Sequence, residues 1–141
     1  MTDDLQIERE IILQESADEV WPLLSSADGW QQWLVDAATI DVADGAEGDV
    51  IDGGVVRHVQ VVEVDEARRV TFRWWERDDP DSVSEVCIQV LPLLDGGSRM
   101  LVVERPLVAS ASASASALQA AWDMRALLLA LSLAACALVR A

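Results

Sequence analysis

LQAAWDMRALLLALSLAACALVRA, residues 118–141, is the stretch that decides the fold. It holds neither Pro nor Gly and is dominated by Leu and Ala, both strong helix formers. At 100° per residue, Leu118, Trp122, Ala126, Leu129, Leu133 and Cys136 fall on one stripe, as a buried helical face requires. At 1.5 Å per residue the helix would be roughly 35 Å long, enough to cross a small domain. Residues 126–139 are apolar apart from Ser132, a run of 14. A bilayer span needs roughly 20 such residues, and here Asp123 and Arg125 stand just before the run. The stretch is therefore read as a core helix, and the upstream chain must supply the sheet that receives it.

The whole chain of 141 residues is the length of one domain, 1–141, large enough to bury about two-thirds of its unfolded surface. A hydrophobic fraction of 52% excludes disorder. A net charge of −15 excludes nucleic acid and anionic membrane surfaces as expected partners, since both are bound by basic surfaces. All ten basic residues are Arg. MTDDLQIERE at the start has no basic n-region and no apolar h-region, so no signal peptide is expected. Cys87 and Cys136 lie far apart, in strand and helix contexts, and are read as buried thiols in a reducing compartment. The expected location is the cytoplasm.

Residues 5–14 alternate, with Leu5, Ile7, Ile11 and Leu13 facing one way, which is a half-buried strand. Arg9 breaks that face and is either paired inside or lies at the strand's edge. Ser16 and Glu19 have capping-box spacing before Val20, Trp21, Leu23 and Leu24, with Pro22 keeping the helix short or kinked. A second short helix is expected at 28–34, with Trp30, Trp33 and Leu34 on one face. A long β region follows. Strands are expected at 39–42, 49–51, 55–64, 69–77, 83–93 and 99–105, with turns at Gly53-Gly54, 65–68, 78–81 and 95–98. Val86, Ile88, Val90, Met100 and Val102 should share one face. Residues 108–117 essentially alternate Ala and Ser and are read as a loop. The long helix would start at about Ser112 or Ser116, the latter forming a second capping box with Gln119, and run to Val139. The fold class is α+β: a curved antiparallel sheet of about six to seven strands around a long C-terminal helix, with two short helices after the first strand.

Several stretches in this order resemble the SRPBCC superfamily (START-like, helix-grip), and in particular the branch named for the activator of the ninety-kilodalton heat-shock-protein ATPase. They are IEREIIL before SADEVWPLL, then WQQWL, VVEVDEARRVTFRW, GGSRMLVVE and the late Trp122 opening an apolar helix. The Ala-Ser tract and the uniformly apolar last helix depart from that pattern. The resemblance implies a cavity between sheet and helix that holds a hydrophobic small molecule in many members. It also implies relatives that are cyclases, dehydratases or co-chaperone modules, so the fold does not select a function.

Chemistry-bearing motifs are sparse. His58, the single histidine, sits mid-strand and is read as a surface or satisfied residue. The sequence contains no GxSxG, HExxH, P-loop or GxGxxG pattern. The acidic cluster at 78–81 fits no calcium loop and is read as a solvated turn. No catalytic residue, metal ligand or cofactor is assigned. Glu76, Glu104, Arg9 and Arg57 are either orienting groups in an apolar cavity or, the plainer reading, residues of the wet face and strand ends. The aromatic inventory is six Trp, one Phe and no Tyr. Trp21 and Trp122 fit core positions, Trp75 should point away from Trp74, and Trp30 is a candidate gate.

The expected function is binding of an aromatic or lipid-like molecule, with Trp30, Trp33, Phe72, Trp74, Ile88, Met100, Val102, Leu118 and Trp122 as ligand-contacting residues. A co-chaperone-like interaction module and a cyclase or hydrolase using the same cavity are the alternatives. Opposite the Trp122 stripe lie Ala120, Met124, Leu127, Leu131, Ala134 and Leu138, an apolar side that water would meet in a monomer. A homodimer through the last helices is the expected cover.

Overall fold

Period-two alternation of apolar residues builds a seven-stranded sheet that is antiparallel throughout, in the order β1-β7-β6-β5-β4-β3-β2. The computed structural model describes residues 6–108 and 115–140, with side chains at 118–134 of the last helix. The elements are β1 (Ile7–Leu13), α1 (Ala17–Leu24), α2 (Ala27–Trp33), β2 (Ala37–Thr39), β3 (Glu47–Asp52), β4 (Val55–Asp65), β5 (Arg69–Glu76), β6 (Asp79–Pro92), β7 (Ser98–Pro106) and α3 (Ala115–Arg140). The sheet curves, and its apolar face receives the helices. That face carries Val59 and Val61 of β4, Val70, Phe72 and Trp74 of β5, Val86, Ile88 and Val90 of β6, and Met100 and Val102 of β7, all buried. The odd and even positions fall as the alternation predicts.

The two short helices owe their form to local chemistry. Ser16 caps α1 by accepting from Glu19 N–H, and Ser26 caps α2 by accepting from Gly29 N–H. A Cβ at Gly29 would stand 2.2 Å from the carbonyl oxygen of Pro22, so the crossing of α1 and α2 needs glycine there. At the far end of α1 the last carbonyls lack intrahelical donors. Two indoles supply them: Trp30 Nε1 donates to Leu24 O at 2.7 Å and Trp33 Nε1 to Leu23 O at 2.8 Å. The W-x-x-W spacing of α2 is thus a side-chain cap for the helix before it.

The helix α3 presents the expected stripe. Trp122, Leu129 and Leu133 are buried and Leu118 packs against the core, while Leu131 is exposed. Cys136 and Leu138 lie outside the described side chains. One member of the buried face was not expected: Arg125, three residues after Trp122, is only 6% exposed. Among the described residues no helix is long and apolar enough to cross a membrane.

Several local expectations need correction. The strand expected at 39–42 is β2 at Ala37–Thr39, because the chain turns where Ala43 N–H reaches Asp41 O. The turn expected at 78–81 is confined to Arg77-Asp78, and Asp79 already pairs with Glu76. Pro80 lies inside β6, ahead of Ser84, where pairing with β7 begins; a residue without N–H is tolerated where a strand has one neighbour. Ser116 lies within α3, which begins at Ala115, so it is not the cap. Cys87 is half-buried on the outer face, its odd position in β6 turning it away from the core. Most of the Ala-Ser tract, 109–114, lies outside the described residues.

The stripe assignment has a measurable consequence. Leu129 is completely buried, so Leu129→Ala should cost about 2–5 kcal/mol in denaturant unfolding, while Leu131→Ala, exposed within one chain, should stay within about 0.5 kcal/mol when both are measured at protein concentrations low enough to keep the chain monomeric.

Candidate functional site

At one end of the apolar interior the sheet places a small group of polar residues. Ser84 of β6 and Glu104 of β7 continue the inward-facing rows of their strands and are buried, Glu104 to 2% exposure. The Glu104 carboxylate accepts three hydrogen bonds. Trp74 Nε1 donates to Oε2 at 3.0 Å, Ser84 Oγ to the same oxygen at 2.5 Å, and Trp122 Nε1 to Oε1 at 2.8 Å. One side chain therefore ties the sheet to α3 through two indoles. Burying a carboxylate is costly unless its lone pairs are met, and here three donors meet them.

Two guanidinium groups cover the same rings. Arg57 Cζ lies 4.7 Å from the centre of the Trp74 ring, and Arg125 Cζ lies 5.1 Å from Trp74 and 4.5 Å from Trp122. Arg125 is also tied down: its Nε donates to Leu34 O at 3.2 Å and its Nη2 to Asp52 Oδ2 at 2.7 Å. It thereby joins α3 to the end of α2 and the end of β3. Arg57 alternates inward with Val59 and Val61 along β4, and its Nε is buried without a partner.

The remaining aromatic rings run from this polar end into the core. Phe72 lies 5.2 Å from Trp74 edge to face, and Trp30 lies 4.8 Å from Phe72. Trp33 lies 6.3 Å from Trp122. Ile88, Met100 and Val102 floor this cluster from β6 and β7. All nine residues expected to contact a ligand thus belong to one cluster, eight fully in the core and Leu118 against it. Trp30 has no surface exposure, which removes the gate reading: its indole is held by α1 and its ring by Phe72. Of the four polar candidates, Glu104 faces inward and Arg57 and Glu76 stand half-buried on the same face. Arg9 lies within the edge strand β1 and pairs with Asp123 of α3 at the surface, not inside as one expectation had it.

His58 lies on the opposite, outer face, between Asp49 and Glu47 at 3.1 Å each, with its ring tilted against that of Trp75 at 4.9 Å. Its pKa is raised above 6.5, chiefly by the hydrogen bond to Glu47. That makes it a satisfied surface residue, as expected, and Trp75 points away from Trp74. A groove of about 590 Å³ opens at the other end of the sheet, between Ser16, Glu66, Arg68 and Gly96, and none of the aromatic cluster lines it.

A curved antiparallel sheet closed by two short helices and one long one is the helix-grip architecture. Residues 4–128 match the family model described as polyketide cyclase / dehydrase and lipid transport, and the chain belongs to that SRPBCC-type family. Similar solved structures share the fold. DynU16, from the dynemicin biosynthetic locus, is 20% identical with a TM-score of 0.79, over 93% of this chain and 48% of its own. The Aha1 dimer from Colwellia psychrerythraea is 15% identical with a TM-score of 0.77, over 91% and 95%. CalU16 from Micromonospora echinospora is 17% identical with a TM-score of 0.71, over 89% and 72%. The chain thus spans about half the length of DynU16. Among the curated proteins none matches significantly.

The Glu104 network can be probed directly. In Glu104→Gln one acceptor oxygen becomes an N–H₂ facing a buried donor, so unfolding free energy should fall by about 1–3 kcal/mol, measured by urea titration.

Proposed function

We propose that the chain binds a hydrophobic small molecule, aromatic or lipid-like, between the curved sheet and α3, and does not catalyse a reaction on it. The observation that carries this reading is the make-up of the inner face. Trp33, Phe72, Trp74, Ile88, Met100 and Trp122 form an apolar wall, completed by Trp30, Val102 and Leu118, with the buried charged groups Glu104 and Arg125 at one end. An apolar wall with a few placed polar groups is the usual composition of a small-molecule site. The family description includes lipid transport, which supports the same reading.

The wall side chains close on one another, so a ligand would enter by parting α3 from the sheet. The packing of α3 favours that route, because its neighbours are chiefly α2 and the edge strand β1. Glu104 already accepts from Trp74, Trp122 and Ser84, which supports a binding role over proton transfer by this carboxylate. Titration with 1-aminoanthracene or a long-chain alcohol should quench Trp fluorescence saturably, and Trp74→Ala should weaken the response several-fold. A response that grows linearly without saturation would overturn the reading.

The outer side of α3 supports a second element of function. Met124, Leu127 and Leu131 are 58%, 55% and 58% exposed, with Leu128 at 40% and Ala120 and Ala134 exposed beside them. Such a stripe also suits the co-chaperone-like reading, but the small Ala residues along it, which would let two such helices approach closely, favour a second copy of this chain. The net charge of −15 opposes association, so sedimentation should show a dimer that tightens as salt rises. A monomer at high concentration in moderate salt would contradict it.

A further inference from the structure

The inner side of β4 carries a cation that no carboxylate among the described residues pairs with. Acidic residues outnumber basic ones by 25 to 10. Arg9, Arg69, Arg73, Arg77, Arg99, Arg105 and Arg125 all stand within ion-pair distance of a carboxylate. Among the described residues, only Arg57 and Arg68 of the arginines do not. Arg68 is exposed at a turn, where water solvates it. Arg57 is different: it faces inward, half-buried, with its Nε shut away from water and hydrogen-bonded to nothing.

Partners were available to it. Glu76 stands directly opposite in the β4–β5 register, yet no ion pair joins them. Asp52, at the end of the neighbouring strand, is taken by Arg125. What holds Arg57 is the face of Trp74, 4.7 Å away, and a ring face satisfies the charge without using the N–H donors. The guanidinium therefore keeps its donor edge free at the polar end of the aromatic wall. A buried, unmade donor of this kind is a cost unless something fills it.

We propose that Arg57 is the anion-recognising residue of this interior, and that the ligand is an apolar molecule ending in a carboxylate. The inference rests on the cavity reading above and specifies its ligand class. The planar fork of Arg matches a carboxylate in two parallel hydrogen bonds, and the apolar remainder then lies along Trp74, Phe72 and Met100. A chain of charge −15 repels anions in general. A preference for an acid over the matching alcohol would therefore report a local cation and not the overall field.

The test compares laurate with lauryl alcohol, which share an apolar chain and differ in the charged end, using quenching of Trp fluorescence. Wild-type protein should bind laurate about tenfold more tightly, the size of one charge-assisted hydrogen bond. Arg57→Gln should weaken laurate alone and bring the two ligands level. Arg57→Lys should keep part of the preference, and Arg68→Gln should leave it unchanged. Equal binding of both ligands by the wild type, or a preference that survives in Arg57→Gln, overturns the role of Arg57 while the cavity stands. Failure of both ligands to bind removes the cavity reading and this proposal with it. The wild-type comparison decides even if a variant proves unstable.

Discussion

The interaction on which the rest depends is the buried carboxylate of Glu104. It takes the indole N–H of Trp74 from the sheet and that of Trp122 from α3, and its third donor, Ser84, comes from the strand between. Without that carboxylate the Trp122 N–H would be an unmade hydrogen bond in an apolar interior, and the Trp74 N–H would keep only Ser84 Oγ, at 3.1 Å. Because one residue serves both indoles, the rotation and height of α3 over the sheet are set together. Arg125 reinforces that setting one turn further on, on the same helical face as Trp122, by bonding Leu34 O and Asp52. Beyond it the helix is held by burial of Leu129 and Leu133 and by one exposed hydrogen bond, Ser132 Oγ donating to Gln32 O at 3.1 Å. The first half of α3 is thus fixed by buried directional bonds and the second chiefly by apolar packing.

This division bears on function. A helix seated by apolar packing can be displaced without leaving polar groups unsatisfied, whereas its polar end cannot. The interior is lined with aromatic rings and Met100, whose flexible side chain adapts to an altered volume. The ion pairs of the outer sheet face, such as Arg73 with Glu85 and Arg99 with Glu10, are solvent-exposed and contribute little to holding the fold. What specifies this molecule is on the inside, where each polar group has few partners to choose among.

Much of the fold was legible in the sequence because it follows from periodicity. Alternation in β5, β6 and β7 identified Phe72, Trp74, Ile88 and Met100 as inward-facing, and the three-to-four spacing of α3 separated Leu129 from Leu131. Burial of charged residues was not legible in the same way. Glu104 and Arg57 have the right parity for the inner face, yet a charged residue is ordinarily assigned to water, so parity lost to composition. The available signal was three even positions in a row on β7, Met100, Val102 and Glu104, ahead of Pro106. Arg125 was missed because it stood beside the apolar run and looked like its boundary. Trp30 was misjudged because a tryptophan has two uses: its ring fills the core, and its N–H closes α1, a pairing that only the folded chain reveals.

Indole proton exchange, followed by nuclear magnetic resonance on nitrogen-labelled protein, tests the account most directly. Six indole signals are expected, one per tryptophan. If Glu104 holds sheet and helix together, the signals of Trp74 and Trp122 exchange slowly and at the same rate, far behind the half-buried Trp75. Exchange of Trp122 as fast as Trp75, with Trp74 still protected, would show that the carboxylate does not hold the helix and would contradict the account.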